Sequence, residues 1–417
     1  MHVMELNYFC NTMGLGDGAR ALLGPKWTEI LERWNGGLPG FLSPDFLEKY
    51  LPMINSPDEQ EILRRSGDVA DLCRRESAAA LYLHVLHYGA FVLNIAIFPN
   101  FATPFFGENE GIAYLLAALS SAPLIEENCR RREIPIAYAH DALLWIGGTV
   151  TIYKLAHDGI PGHTLRQLAW LHYHVAGELY RIGRFEYLLH RLPQWAPLVF
   201  RNSAGKLAVL TAPDIKLGSS GLAVFKDEVV TSYIEEDGPF VTGIPFSPEG
   251  FAKVGERLTV DRREYFPVCA PWDLVPSIHI PGGLRMKWED ALESMKRATA
   301  FFKRYFKREV PMFVCGSWIL NPALEEFAPE GNMARFRREV FCAPMIRQGV
   351  ADREGMFFAF GRDDKDPTEI APVNSIQSIL QEIFRSEGTL RSGAMFVLTS
   401  DLEKMGAEYY RTSQELL

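Results

Sequence analysis

The sequence predicts an α+β protein in which an all-helical N-terminal domain precedes a mixed-sheet domain. Three observations carry that expectation. Between residue 22 and about residue 157 the apolar positions recur at helical spacing with few strand signals. His157-Asp158-Gly159-Ile160-Pro161-Gly162 then gathers turn formers between two periodic segments. From Val275 onward strand and helix patterns alternate. The chain has 417 residues, too many for one ordinary core, and the expected domains are 1–160 and 163–417.

The helical half is read from caps and periodicity. A short helix over 26–34 stops at Gly36-Gly37, and Ser43-Pro44 opens another, with serine as N-cap and proline at the first helical position. Ser56-Pro57-Asp58-Glu59 repeats that signal for a helix running toward residue 80. Further helices are expected at 81–95, 112–120, 123–131, 138–156 and 165–180. Strands are expected at 184–191, 196–202, 207–210, 229–234 and 240–244, and Ser247-Pro248-Glu249-Gly250 reads as the start of a short helix.

The stretch 275–305 is the most informative. Ile278 and Ile280 alternate with Ser277 and His279, as in a strand with one buried face. Pro281 stops the ladder, and Gly282-Gly283 turns the chain into a helix whose stripe is Ala291, Leu292, Met295, Ala298, Phe302 and Tyr305. Such a turn can aim backbone N–H groups and the positive end of a helix dipole at an anion; an ordinary strand-to-helix connection explains the same residues. A strand over 312–320, helices over 323–327 and 375–385, a helix or extended segment over 333–341 and strands over 356–360 and 394–399 complete the reading.

Composition narrows the function. The net charge of -9 and pI near 5.7, with basic residues only in short clusters such as Arg130-Arg131-Arg132, speak against a nucleic-acid partner. Six cysteines without a CxxC pair read as reduced thiols of a cytoplasmic protein. The N-terminus, MHVMELNYFCN, does not read as a signal peptide. Residues 79–98 are nearly long enough to span a bilayer, but His84, His87 and Asn94 interrupt them, so a buried helix and no membrane partner are expected.

Three constellations bear on chemistry. His172, His174 and Glu178 cannot converge on a metal if their segment is helical, because His172 lies about 200° around the helix from His174. Cys315 and Ser317 share a strand face, and His279 lies on the preceding strand, so a Cys-His or Ser-His pair is conceivable, although no GxSxG elbow surrounds the serine. Arg184 and Glu186 share a strand face, where an exposed ion pair is the usual outcome.

Five segments carry a family resemblance: LAWLHYHVAGELYRIGRFEYLLHRL, SIHIPGG, ALESMKRATAFFKRYF, FVCGSWILNPALEEFAPEGNMARF and IFRSEGTLRSGAMFVL. The chain resembles bacterial acyltransferase-domain proteins that pair an N-acyltransferase N-terminal domain with a GNAT-like C-terminal domain. The resemblance implies a GNAT-like mixed sheet, acetyl-CoA or another acyl-CoA as cofactor, and acyl transfer to an amine of a small molecule or peptide; it leaves room for a homodimer. It places the diphosphate loop at Gly282, Gly283, Leu284, Arg285 and Lys287, and matches Asn332 to the asparagine that opens the following helix. Within this frame His279 is the candidate base and Ser317 the candidate donor to the thiolate. The loop holds Gly282-Gly283 where GNAT enzymes carry Q/R-x-x-G-x-G/A. A GNAT-like binding or structural module without the cofactor is therefore the alternative reading.

Overall fold

A computed structural model describes residues 4–413 apart from 271, 283–284 and 346–350. The chain divides into two compact units, Met1–Arg181 and Ile182–Leu417.

The first unit is helical. Ser43 Oγ accepts the Phe46 N–H at 3.3 Å and so caps Pro44–Tyr50, as its sequence demands. Ser77–Phe91 is buried on nearly every side, which explains its uniform hydropathy, and among the described residues no helix is long and apolar enough to cross a membrane. The turn-rich segment 157–162 leads into Leu165–Ala176, a helix that still belongs to this unit. Gly177 ends it at φ 70°; any side chain there would collide with Asn128.

Just after that turn-rich segment, His163 makes the first unit sensitive to acid. The side chain is fully buried, its Nδ1–H donates to the Thr164 carbonyl at 2.9 Å, and its Nε2 has no hydrogen-bond partner among the described residues. Burial therefore pushes the imidazole down from 6.5 to about 4. Because the folded state resists protonation, the stability tied to this group is complete above pH 6.5 and is lost as pH falls toward 4. A gap of this size corresponds to about 3 kcal/mol. Urea titrations at pH 7 and pH 5 should show the loss, and His163→Gln should flatten that part of the profile.

A mixed sheet begins at the boundary between the units and continues through the second; its strands, numbered in chain order, are β1 (Leu179–Ile182), β2 (Phe185–Arg191), β3 (Leu274–His279), β4 (Met312–Ser317), β5 (Phe341–Ala343) and β6 (Gly393–Leu398). Their spatial order is β1-β2-β3-β4-β6-β5. β3 is antiparallel to β2 and parallel to β4, while β6, last in the chain, lies between β4 and β5 and is antiparallel to both. Between β2 and β3 the chain leaves the sheet and forms three small antiparallel sheets of its own.

Helix Trp288–Phe301 connects β3 to β4, as a parallel pair requires. Its buried stripe, Ala291, Ser294, Met295, Ala298 and Phe301, lies on the side of the sheet that carries Tyr187 and Phe313, whose ring centroids are 5.6 Å apart. On the other side Val275, Val314 and Phe396 join Phe246 and Phe341 in a separate core.

Five expectations need correction. The helix expected over 165–180 ends at Ala176, and Leu179–Ile182 is a strand. Residues 356–360 lie in a helix, Ala351–Phe360: Met356, Ala359 and Phe360 are buried at helical spacing in one cluster with Leu380 and Ile383. The strand expected over 312–320 stops at Ser317, whose Oγ accepts the Ile319 N–H and caps a 3-10 turn. Ser247-Pro248-Glu249-Gly250 starts no helix; Gly250 at φ 94° closes a turn in which its N–H bonds to the Ser247 carbonyl. The strand expected over 229–234 is two, Val230–Thr231 and Ile234–Asp237, in different sheets.

Candidate active site

The centre of the sheet is where β3 and β4 barely pair. β3 matches β2 along its whole length, from Leu274↔Arg191 to His279↔Glu186, and β4 matches β6 from Met312↔Leu398 to Ser317↔Gly393. Between β3 and β4 the register holds at a single position, Ser277↔Val314. Beyond it, no register pair joins their carboxyl ends, His279 and Gly316-Ser317. The carboxyl end of a parallel pair at the centre of such a sheet is a place for a ligand to bind.

Register fixes which side chains meet there. Side chains alternate along each strand, and paired residues share a face. His279 therefore shares a face with Ser277, Val314 and Gly316, whereas Ser317 and Cys315 point to the other face, the one packed by helix Trp288–Phe301. The structure does not bring His279 and Ser317 together. It brings His279 opposite Glu186 instead, and directly opposed residues of antiparallel strands hold their Cβ atoms about 5 Å apart. Glu186 is fully buried, and His279 is partly exposed. An imidazole with a buried acidic side chain beside it is the arrangement that orients a general base. Gly316 keeps the strand end slim: a Cβ there would meet Met345 Sδ at 2.8 Å and the Trp195 ring at 3.3 Å.

Arg184 and Glu186 are not the exposed pair expected of them. Arg184 belongs to the turn between β1 and β2 and is buried; its Nη1 donates to the Pro281 carbonyl at 2.9 Å and its Nε to the Arg285 carbonyl at 3.2 Å. It thus holds both ends of the segment that joins β3 to the next helix. Gly282, Arg285 and Lys287 are exposed along this segment, Lys287 at the N-cap with no side-chain cap on the helix's first amides. Gly283 and Leu284 lie outside the described residues. Asn332 opens helix Asn332–Arg338, the place expected for it.

His172 sits on helix Leu165–Ala176 of the first unit with Nδ1 3.1 Å from the Ala90 carbonyl. Among the described residues no group of three or more His, Cys, Asp or Glu could hold a metal ion.

The comparisons agree with this architecture. A family model described as the GNAT-like C-terminal domain matches residues 179–396, just over half of the chain. Among solved structures, an acyltransferase in complex with decanoyl-CoA and teicoplanin superposes with a TM-score of 0.59 at 17% identity, covering 95% of this chain and 99% of that one. An acyltransferase in complex with CoA and 10C-teicoplanin superposes with a TM-score of 0.58 at 16% identity, over the same 95% and 99%. At such identities the likeness is one of fold. No protein of curated function matches the sequence significantly.

Proposed function

The chain belongs to the family defined by the GNAT-like C-terminal domain, and from that premise we propose that it is an acyl-CoA-dependent N-acyltransferase acting on an amine of a small molecule or peptide. The observation that carries this reading is the parallel pair β3–β4 at the centre of the sheet, joined at one register position, with His279 opposite Glu186 at its carboxyl end. The segment after β3 fits the cofactor's diphosphate: its Gly282, Arg285 and Lys287 are exposed, and it leads into a helix N-terminus without a side-chain cap. Complexes of structural neighbours with decanoyl-CoA and teicoplanin support a long acyl donor and a bulky peptide-like acceptor. The free cysteines support a bacterial cytoplasmic setting.

Bound acyl-CoA supplies an activated thioester carbonyl. In the proposed reaction His279 takes the proton of the attacking ammonium or amine, and Glu186 fixes the ring orientation and stabilises the imidazolium that results. Ser317 accepts from the Ile319 amide and keeps its own O–H to donate, so it is proposed to supply a proton to the departing sulfur. The serine regains its proton from solvent and the imidazolium releases its own there, so the cycle closes with amide and free thiol as products.

Calorimetric titration with acetyl-, octanoyl- and decanoyl-CoA tests the reading, together with thiol release in the presence of an amine panel. Saturation at a hundredfold excess over Kd should stabilise the protein by about 2.7 kcal/mol. Absence of binding to any of the three would reject the acyltransferase and favour the non-catalytic module.

A further inference from the structure

Resting on the acyltransferase reading, we propose that Arg184 is a positioning residue for the segment that receives the diphosphate of coenzyme A, acting from beneath through that segment's own carbonyl groups. Its guanidinium holds the Pro281 and Arg285 carbonyls at 2.9 and 3.2 Å. In a trans peptide the C=O of one residue and the N–H of the next point in opposite directions. Anchoring the Pro281 carbonyl therefore turns the Gly282 N–H away from Arg184, and anchoring the Arg285 carbonyl does the same for Met286. Neither amide has a hydrogen-bond partner among the described residues. At the exposed Gly282 this presents a donor outward, whereas Met286 is buried, so the single buried cation acts by fixing the backbone at both positions, with its positive charge behind the Gly282 donor.

The turn that carries Arg184 is itself fixed to the following helix. Ser294 Oγ accepts the Phe185 N–H at 3.3 Å, lies 2.8 Å from the Tyr187 hydroxyl and donates to the Ile182 carbonyl. Gly183, at φ 65°, passes over Ser294 and Arg297, where a Cβ would be in ordinary contact. Turn, segment and helix therefore form one brace. A lysine could not replace the guanidinium, because one ammonium on a flexible stem does not span two carbonyls in fixed directions.

The test compares octanoyl-CoA with octanoyl-pantetheine, which keeps the acyl and pantetheine parts and lacks the diphosphate. Calorimetric Kd values are measured for the wild-type protein, Arg184→Lys and Arg184→Gln. Irreversibly misfolded protein lowers the fitted stoichiometry and leaves Kd alone, and reversible unfolding weakens both ligands by the same factor, so the ratio of the two Kd values is the readout. Both variants should bind octanoyl-CoA about tenfold more weakly or worse, with octanoyl-pantetheine changed by less than about twofold. Unchanged octanoyl-CoA affinity, or an equal loss for both ligands, would overturn the inference while leaving the acyltransferase reading standing. Failure of the wild-type protein to bind octanoyl-CoA would overturn the inference, and failure with acetyl- and decanoyl-CoA as well would remove the acyltransferase reading.

Discussion

Replacement of His279 by alanine should lower turnover on an acyl-CoA and a verified amine by about 10²- to 10⁴-fold, the usual contribution of a positioned general base, while leaving the affinity for CoA within about twofold. The separation of effects follows from placement. His279 is the last residue of β3 and is partly exposed, whereas the expected cofactor contacts begin at Gly282. Glu186→Gln should produce a smaller loss of the same sign, because the amide keeps the shape beside the imidazole but cannot stabilise a cation there. Alanine at Glu186 is the poorer choice, since that side chain is fully buried and its removal would also leave a void. Thermal melts of all variants separate catalysis from folding. Unchanged turnover in His279→Ala would remove the histidine from the mechanism and leave the fold assignment intact.

Much of this architecture is legible in local sequence. The alternation around Ile278, the apolar stripe from Ala291 to Phe302 and the cap at Ser43 are each decided by neighbours a few residues away, and each forms as its pattern requires. Readings that depend on distant partners fare differently. Whether His279 meets Ser317 or Glu186 is set by the register of three strands, one of them roughly ninety residues earlier in the chain, which no spacing within β3 encodes. Arg184 looks like a surface charge until the chain returns and lays the Pro281 and Arg285 carbonyls over it. The run 356–360 carries enough aromatic and β-like character to pass for a strand, and tertiary burial against Leu380 and Ile383 settles it as helix.

Arg337→Met should destabilise the second unit by about 3 kcal/mol or more, as expected when one partner of a buried charged network is removed. The side chain is 1% exposed and spends three donors inside the protein: Nε to Glu325 at 2.8 Å, Nη2 to the Glu249 carbonyl at 3.0 Å, and Nη1 to the Leu320 carbonyl. Leu320 ends the turn that follows β4, and Glu249 lies in the excursion between β2 and β3, so one guanidinium joins the strand end beside the opening to a segment far away in sequence. Arg411 shares the same carboxylate through two contacts of 2.7 Å. Burial pushes the Glu325 carboxyl up, but the hydrogen bonds from Arg411 and the charge of Arg337 outweigh it and hold the group below its ordinary value of 4.5. A depressed carboxylate contributes stability that is present above its unfolded pKa and disappears as pH falls through the folded one. The penalty of Arg337→Met should therefore be largest near neutral pH and shrink as pH falls through the depressed pKa of the folded carboxyl, where the partner becomes neutral. Arg411→Met should cost less, because Arg337 would still pair with Glu325 and the Arg411 side chain keeps 13% of its exposure. At about 2–4 °C per kcal/mol for a unit of this size, the first substitution should lower the melting temperature by roughly 6–12 °C. A melt of Arg337→Met within 2 °C of wild type at pH 7 would show that the network adds nothing, and equal losses for the two arginines would show that the buried carbonyls, which only Arg337 serves through two of its donors, are not the main term.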